Sequence, residues 1–499
     1  MTNLLDRFTG RVTMYRLITL SLVGLLLVSV ALATGGILAY GPLEILASAV
    51  VAVLATFATS ALFAALFRTR AHLESAVITG LLLLFLFRPT LEPAELGTIA
   101  LAGLIASASK YLLAIRRRHI FNPAAIAALV IGLTQLNFAA WWVATPPLLP
   151  FTAVAAFLIL YRTHRLPMGL LFVALSSALI TTTVTLAGTP ALEALALSFT
   201  SYPIVFLAGF MLSEPLTLPP RRWQQLALAI VVAVLLSMQF SAGPLYSSPE
   251  LALVIGNLLA FTAGQRRGIR LDFVGRTPLT PTSWEFEFQP KRPLAFTAGQ
   301  YLELSLPHSM DTRGARRIFS IASAPGDSVR IGLRIPPKPS SFKRALLELQ
   351  PGETVSATSV GGDFLLPADA TKPLLLVAAG IGITPFISQL EHLEATGSTR
   401  DVVLVYSSAS AAEIAYAEKL ERGQHRVLLV SPERPETLPA SWEYVGAGPL
   451  SGELLLNAVP DARAREAFVS GPPALVTALR KALRAAGVGR VKADYFSGY

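Results

Sequence analysis

Leu374-Leu375-Leu376-Val377-Ala378-Ala379-Gly380-Ile381-Gly382-Ile383-Thr384-Pro385 is an unbroken apolar run, then a glycine-rich turn, then the start of a helical pattern. An apolar stretch of this length without alternation reads as a strand buried on both faces, as in a parallel sheet. Gly380 and Gly382 allow the backbone to approach the phosphates of a dinucleotide, and Thr384 can add a hydroxyl beside Pro385. Downstream, Val402–Tyr406, Val427–Val430 and Ala467–Ser470 are further apolar strands separated by helical stretches. The alternation predicts a parallel, doubly wound α/β domain over residues 369–499.

About 60 residues upstream lies Arg317-Ile318-Phe319-Ser320-Ile321-Ala322. Its arginine and serine are spaced to serve the pyrophosphate and the redox ring of a flavin, since a guanidinium fork matches phosphate oxygens. Around it, Trp284–Phe288, Tyr301–Leu306, Val329–Ile335 and Thr354–Thr358 alternate in polarity between Pro/Gly turns. That texture predicts a small antiparallel β-barrel over residues 269–368. A flavin segment followed by a nicotinamide segment implies hydride chemistry. Ser340-Ser341-Phe342-Lys343 follows a proline-rich turn and opens a helix whose amides form an anion site, an ordinary serine N-cap being the alternative.

Residues 1–268 differ in kind. The chain is 53% hydrophobic with only 14% charged residues, and its apolar excess is concentrated in this half. Ten apolar runs, near 17–34, 43–67, 73–88, 95–115, 121–139, 147–161, 167–187, 195–213, 223–240 and 248–264, predict a polytopic α-helical membrane domain of about 10 spans. Arginines at 7, 11, 16, 68, 70, 116–118, 162, 165, 221, 222, 266, 267 and 270 fall in alternate loops, so the positive-inside rule puts both termini in the cytoplasm. The expected location is the plasma membrane, and the net charge of +10 is assigned to orientation in the lipid bilayer, with no nucleic acid partner. Cysteine is absent, which excludes thiolate-held iron–sulfur clusters and disulfides. His72, His119 and His164 sit in or beside arginine-bearing loops rather than paired at depth, so haem is not favoured and no metal site is expected.

Two runs carry proline breaks, His119-Ile120-Phe121-Asn122-Pro123-Ala124 and Phe210-Met211-Leu212-Ser213-Glu214-Pro215-Leu216. Interrupted helices in corresponding halves point to a binding site, because freed backbone groups must face protein, water or ligand. The alternative is that proline simply ends each helix at the interface. Lys110, Asn122 and Glu214 are candidates for lining such a place, an intramembrane charge being a functional hypothesis by default.

Two resemblances rest on these residues. Gly299-Gln300-Tyr301, Arg317-Ile318-Phe319-Ser320, Ser340-Ser341, the Gly380–Pro385 turn and Ser470-Gly471-Pro472-Pro473 together resemble the ferredoxin–NADP⁺ reductase family over residues 270–499. The resemblance implies that Tyr301, Arg317, Ile318, Phe319, Ser320, Ser340 and Ser341 hold FAD. It implies that Gly380, Gly382, Thr384, Pro385, Gly471 and Pro472 hold NAD(P)H. Arg317 would pair with the pyrophosphate, Phe319 would pack on the isoalloxazine where the family has tyrosine, and Ser320 would bond its reducible edge. Ser470 stands where cysteine is usual, which implies slower hydride transfer. The ending Asp494-Tyr495-Phe496-Ser497-Gly498-Tyr499 is similar to relatives whose terminal aromatics approach the flavin, making Tyr499 a catalytic candidate with Ser320 and Ser470; a buried strand end is the alternative.

The second resemblance covers most of residues 70–260. Leu73–Leu82, Lys110, Phe121-Asn122-Pro123-Ala124, Phe210–Thr217 and Asn257 are similar to the ten-span membrane subunit shared by Rnf complexes and sodium-translocating NADH:quinone reductases. The threonine motif that carries covalent FMN in that family is absent, which implies a non-covalent FMN or riboflavin at most, and sodium pumping is not carried over.

The combined expectation is a membrane-bound flavoprotein oxidoreductase. It would pass electrons from NAD(P)H through FAD to a second flavin or a quinone, with further redox subunits allowed. A redox-driven ion-translocating module, a ferric or haem-type reductase, and a reductase with a purely anchoring membrane domain are the alternatives. The strand ending at Ser407-Ser408 offers neither an acid for a ribose hydroxyl nor an arginine for a 2′-phosphate, so NADH and NADPH stay equal.

Overall fold

The computed structural model describes residues 14–496 except 69–71, 116–117, 164, 239, 244, 265–268, 307, 309–315 and 424. The chain divides into two compact units, Met1–Arg266 and Arg267–Tyr499.

In the first unit every apolar run becomes a helix. They are α1 (Met14–Thr34), α2 (Pro42–Leu66), α3 (Leu73–Leu86), α4 (Pro93–Leu112), α5 (Pro123–Leu133) and α6 (Leu149–Arg162). After them come α7 (Leu166–Leu186), α8 (Ala191–Thr200), α9 (Ile204–Leu212), α10 (Arg222–Ser237) and α11 (Pro249–Gly264).

Length and composition together are where the expectation of ten spans fails. Among the described residues only α1, α2 and α7 are long and apolar enough to cross a membrane, with a fourth if α8 and α9, bent by 50°, count as one span. Helix α4, at 20 residues, is long but carries Glu95 and Lys110, whereas α3, α5, α6, α10 and α11 are shorter apolar helices. Pro123 opens α5 and Thr134 ends it, so its 11 residues span about 16 Å, half of a hydrocarbon core. The α8–α9 break falls at Ser201-Tyr202-Pro203, where proline removes a helical donor. The second part of α9, Leu207–Leu212, is wound as a π-helix. Small residues permit close helix contact: a Cβ on Gly80 would meet Val53 Cα at 2.7 Å and Ala52 O at 2.8 Å.

The second unit begins with a six-stranded antiparallel barrel. Its strands are β1 (Ile269–Pro278), β2 (Ser283–Pro290), β3 (Tyr301–Ser305), β4 (Arg316–Ser320), β5 (Val329–Arg334) and β6 (Thr354–Gly361). They run in the order β4-β3-β6-β1-β2-β5, and a bridge from Ile321 to Ile331 links the two ends. Phe273, Phe286, Phe288, Leu302 and Leu304 fill its interior. One helix, α12 (Ser341–Glu348), lies between β5 and β6.

A six-stranded parallel sheet follows, made of β7 (Leu374–Ala379), β8 (Val402–Ser407), β9 (Arg426–Val430), β10 (Trp442–Gly446), β11 (Glu466–Gly471) and β12 (Val491–Tyr495). The order is β10-β9-β8-β7-β11-β12, so successive strands are added outward in one direction from β7 and in the other from β11. Helices α13 (Thr384–Ala395), α14 (Ala417–Arg422), α15 (Gly452–Ala458) and α16 (Pro473–Ala485) connect the strands. Separate hydrophobic clusters, one around Phe386 and Tyr406 and one around Leu455 and Leu479, cover its two faces. The apolar pattern did not reveal β10 and β12, because each is an edge strand with one buried residue among those described.

Candidate active site

The strand order switches between β7 and β11, and open α/β sheets bind ligands in the crevice outside the carboxyl ends of the strands at such a switch point. Both expected glycine turns lie there. Gly380 has φ +53° and Gly471 has φ +149°, backbone that a side chain would strain. A Cβ on Gly382 would fall 2.8 Å from Gly471 Cα and from Ser470 O, so the two turns pack backbone to backbone. Pro385 opens α13 and is buried. Thr384 is fully buried and donates to Ile381 O at 3.1 Å, so its hydroxyl fixes the turn itself. Pro472 caps α16 directly after Gly471.

Ser470 lies beside Ala378 of β7 on one side and Asp494 of β12 on the other. Its hydroxyl is buried with no hydrogen-bond partner among the described residues, a state that a bound polar group would relieve. Ser320, at the end of barrel strand β4, donates to Asp494 Oδ2 at 3.1 Å. Ser320, Asp494 and Ser470 therefore form one polar row across the barrel and the sheet. Burial raises the Asp494 carboxyl above its ordinary range, while the bonds from Ser320 and the Tyr495 N–H offset part of that rise. Beyond it, Phe496 N donates to Gly471 O at 2.9 Å, tying the residue after β12 to the same turn. Tyr499 lies outside the described residues.

On the barrel side, Phe342 organises the flavin candidates. The Arg317 guanidinium lies over its ring at 5.3 Å, and the Phe319 ring is 5.8 Å away. Phe342 is the second residue of α12, so Arg317 stands near that helix's first turn, where Ser340 is the N-cap with its Oγ accepting from Lys343 N at 3.4 Å. Exposed Ile318 (60%) on the same strand offers an uncovered apolar side chain. Gly362, at φ +112°, lies where a Cβ would meet the Tyr301 ring at 3.0 Å. Cationic and amide donors beside apolar side chains fit a diphosphate attached to an aromatic ring system, so these residues suit FAD.

Polar contacts hold the barrel and the sheet in register. Arg330 of β5 bonds Glu391 of α13 at 2.5 Å, and Lys419 of α14 pairs with Glu285 of β2 at 3.2 Å. The hydroxyls of Thr280 and Thr282 donate to Glu413 at 2.8 and 2.7 Å, and Gln389 Nε2 donates to Phe364 O at 2.6 Å. Such crossings fix a donor and an acceptor cofactor at a set separation.

The first unit gathers a second polar group. Asn122 caps α5, its Oδ1 accepting from Ala124 N and Ala125 N at 3.1 Å each. Its Nδ2 donates to Glu214 Oε2 at 2.9 Å, and its main-chain N–H donates to Asn257 Oδ1 at 2.7 Å. Glu214, two residues past the π-helical turn, also meets His119 Nε2 at 2.8 Å. The two proline-broken segments thus touch each other through side chains. Lys110 turns elsewhere, its Nζ donating to Thr79 Oγ1 at 2.8 Å, Ser75 O at 3.1 Å and Ser75 Oγ at 3.2 Å.

Three participants were not singled out as site residues from the sequence. His119 was read as a loop histidine, although its place three residues before Asn122 was the available signal. Asp494 was overshadowed by the aromatic residues around it. Phe342 carries no polar atom, and no pattern marks a ring that lies beneath an arginine.

Residues 376–481 match the oxidoreductase NAD-binding domain family. The chain is 32% identical over 203 residues to the reductase subunit of an aromatic O-demethylase from Amycolatopsis sp., covering 38% of this chain and 58% of that protein. It is 31% identical over 198 residues to the ferredoxin reductase component of a 3-ketosteroid-9-alpha-monooxygenase from Mycolicibacterium smegmatis, covering 39% and 53%. It is also 31% identical over 156 residues to ferredoxin–NADP reductase B of Sorangium cellulosum, covering 30% and 63%. The chain therefore spans less than two thirds of the length of each of these relatives. Among solved structures it is similar to a ferredoxin NADP⁺ reductase from Neisseria gonorrhoeae with bound FAD and NADP, at 19% identity and a TM-score of 0.39, covering 46% of this chain and 99% of that one. These comparisons do not support the likeness of residues 70–260 to the Rnf-type membrane subunit, which stays a reading of motifs. The C-terminal half of this chain is thus similar to these reductases, and residues 376–481 within it match the oxidoreductase NAD-binding domain family.

Proposed function

We propose that the chain is a membrane-bound NAD(P)H-dependent flavin oxidoreductase, with residues 269–368 as its FAD-binding barrel and 369–499 as its NAD(P)-binding domain. The row Ser320–Asp494–Ser470 carries the reading, because it joins the barrel's flavin candidate to the nicotinamide crevice in one set of contacts. Bound FAD would accept a hydride and release electrons singly or in pairs. The protein's part is positional. Gly380, Gly382 and Gly471 let the dinucleotide lie against main chain, and Ser470 and Asp494 present polar atoms at the sheet edge. Ser320 orients the Asp494 carboxyl, and Arg317 with α12 anchors the flavin's diphosphate.

Residues 1–266 would embed the enzyme in the plasma membrane with its termini cytoplasmic, on three or four full spans together with shorter helices. The acceptor would be a quinone or a second, non-covalent flavin such as FMN or riboflavin, with Asn122, Glu214 and Asn257 beside it and Lys110 on the neighbouring helix. Relatives named as reductase components of oxygenases favour a second reading, delivery of electrons to a separate partner protein with the first unit as an anchor. Steady-state reduction of a lipophilic quinone and of ferricyanide by the detergent-purified chain separates the two. If the first unit holds the acceptor, Glu214→Gln lowers quinone reduction and leaves ferricyanide reduction intact. If it is an anchor, both rates are unchanged.

A further inference from the structure

Strand β5 is where the barrel meets the Gly380–Ile383 turn. Its alternation puts Val329, Ile331 and Leu333 in the barrel interior and leaves Arg330 and Gly332 on the outer face. Gly332 is nonetheless buried, because two residues of the sheet domain lie directly on it. A Cβ at this position would fall 2.7 Å from Thr384 Cγ2 and would run into the Tyr416 hydroxyl. Thr384 ends the Gly380–Ile383 turn and is itself fully buried, so it has no room to retreat. Tyr416 is buried too and has φ +61°, a left-handed backbone that is costly for a bulky side chain. Strain of this kind persists only where the surroundings hold it.

Four charges alternate around this contact. Arg330 Nη2 donates to Glu391 Oε1 at 2.7 Å and to Oε2 at 2.5 Å. Lys419 Nζ lies 3.4 Å from Glu391 Oε1 and 3.2 Å from Glu285 Oε2. Arg330 and Glu285 come from the neighbouring barrel strands β5 and β2, where Glu285 is paired with Gly332 itself. Glu391 and Lys419 come from α13 and α14 of the sheet domain. Glu391 also accepts from Ala324 N of the barrel at 3.1 Å. The four side chains are only 12–28% exposed, so water screens them less than it screens a surface ion pair. Helix α13 opens at Thr384 and carries Glu391 about two turns further on, so a hold on Glu391 is a hold on the glycine turn.

We propose that Glu391 is a positioning residue for hydride transfer. Through Arg330, Ala324 and Lys419 it seats Thr384 on Gly332, and this seam sets how closely a nicotinamide on the turn approaches a flavin in the barrel. The inference rests on the reading that the barrel holds FAD and the turn holds NAD(P)H. No proton or electron passes through Glu391. Its part is geometric, and a misplacement of about 1 Å in such an approach lowers a rate by up to about 100-fold.

The test compares the detergent-purified full chain with its Glu391→Gln, Gly332→Ala and Asp461→Asn variants. Asp461 pairs with Arg465 inside the sheet domain, so the last variant controls for the loss of an ion pair that does not cross the seam. Anaerobic mixing of the FAD-loaded proteins with NADH and with NADPH separates the limiting rate of flavin reduction from coenzyme affinity. Glu391→Gln and Gly332→Ala each lower the limiting rate roughly 10- to 100-fold and leave affinity within about threefold. Both weaken the long-wavelength absorbance of stacked nicotinamide and flavin, whereas Asp461→Asn changes neither rate nor absorbance. A second readout needs no cofactor. The chain has no cysteine, so nitroxide labels on Arg292→Cys and Glu421→Cys, both exposed positions, report the barrel-to-sheet separation in the FAD-free protein by pulsed electron paramagnetic resonance. Glu391→Gln broadens that distance distribution, and Asp461→Asn leaves it as narrow as in the unsubstituted chain. Should a seam variant fail to retain FAD, Lys419→Gln, which removes one link of the four, shows the same changes in smaller measure. Unchanged limiting rates in the seam variants, an equal loss in Asp461→Asn, or a distance distribution indifferent to Glu391→Gln would overturn the inference. If neither coenzyme reduces the flavin of the unsubstituted chain, the cofactor reading fails. If that flavin is reduced at a rate the seam variants share, this inference alone falls.

Discussion

The two units build their polar sites from opposite materials. In the C-terminal unit the crevice is made of main chain: positive-φ glycines at two turns, held together because neither Gly382 nor Gly471 tolerates a Cβ there. In the N-terminal unit the cluster is made of side chains, with Glu214 accepting from Asn122 and joined to His119 across 95 residues of sequence. A backbone site depends on local turn chemistry and is written in a few adjacent residues. A side-chain site depends on which distant segments meet, and no short motif records that.

Substitutions can break this contrast in order of expected effect. The largest belongs to Gly382→Ala. A methyl group at 2.8 Å from Gly471 Cα and Ser470 O must push the two turns apart, and overpacking of this kind costs about 1–3 kcal/mol. NAD(P)H affinity, measured by titrating the FAD-loaded chain, should drop roughly 10- to 100-fold. Unchanged affinity would show that the turn has slack and that the main-chain account is wrong.

Next is Glu214→Ala, which leaves the His119 and Asn122 donors without their shared carboxylate. Loss of charge-assisted hydrogen bonds lowers stability by about 1.5–3 kcal/mol, and thermal unfolding in detergent should report it. Glu214→Gln can keep one of the two bonds and should lie between the variant and the original. Equal melting of all three would remove the cluster from the fold's support.

Asp494→Asn sharpens the comparison, because this carboxyl belongs to the backbone-built site yet contributes chemistry. Losing its acceptor geometry toward Ser320 should slow hydride transfer about tenfold, the worth of one hydrogen bond. The sign of its pH effect is fixed. Folding raises this carboxyl's pKa, so ionising it destabilises the native state, and that penalty is absent below the unfolded pKa near 3.8. The penalty grows as pH rises toward the folded value, so the variant's stability advantage should widen with pH through the carboxylate range. A constant difference in melting temperature would contradict it.

How much was legible follows the same division. The Leu374–Pro385 stretch announced strand, turn and helix, and the alternating stretches Trp284–Phe288, Tyr301–Leu306, Val329–Ile335 and Thr354–Thr358 announced barrel strands, because each is local. The edge strands β10 and β12 escaped, since Trp442–Gly446 and Val491–Tyr495 carry mixed polarity where one face is half exposed. The ten apolar runs located the helices of the first unit but overstated their span. Apolar composition continues through Thr134 and Pro203, where hydrogen bonding stops. Asn122 and Glu214 stood out through their prolines, while His119 became a partner only when its segment met the π-helical turn.

The smallest effect is expected for Ser470→Ala. The hydroxyl is buried with no partner among the described residues, so removing it should leave the apoprotein as stable or slightly more so. A marked loss of stability would reveal a bond that the row Ser320–Asp494–Ser470 does not contain.

The central claim is hydride delivery at the crevice between β7 and β11. The direct measurement is anaerobic mixing of the FAD-loaded, detergent-purified chain with NADH and, separately, NADPH while the flavin's visible absorption is followed. Bleaching that completes at one equivalent of reduced coenzyme per FAD is the predicted result. A flavin that stays bound and oxidised in the presence of excess NADH and NADPH would contradict the account.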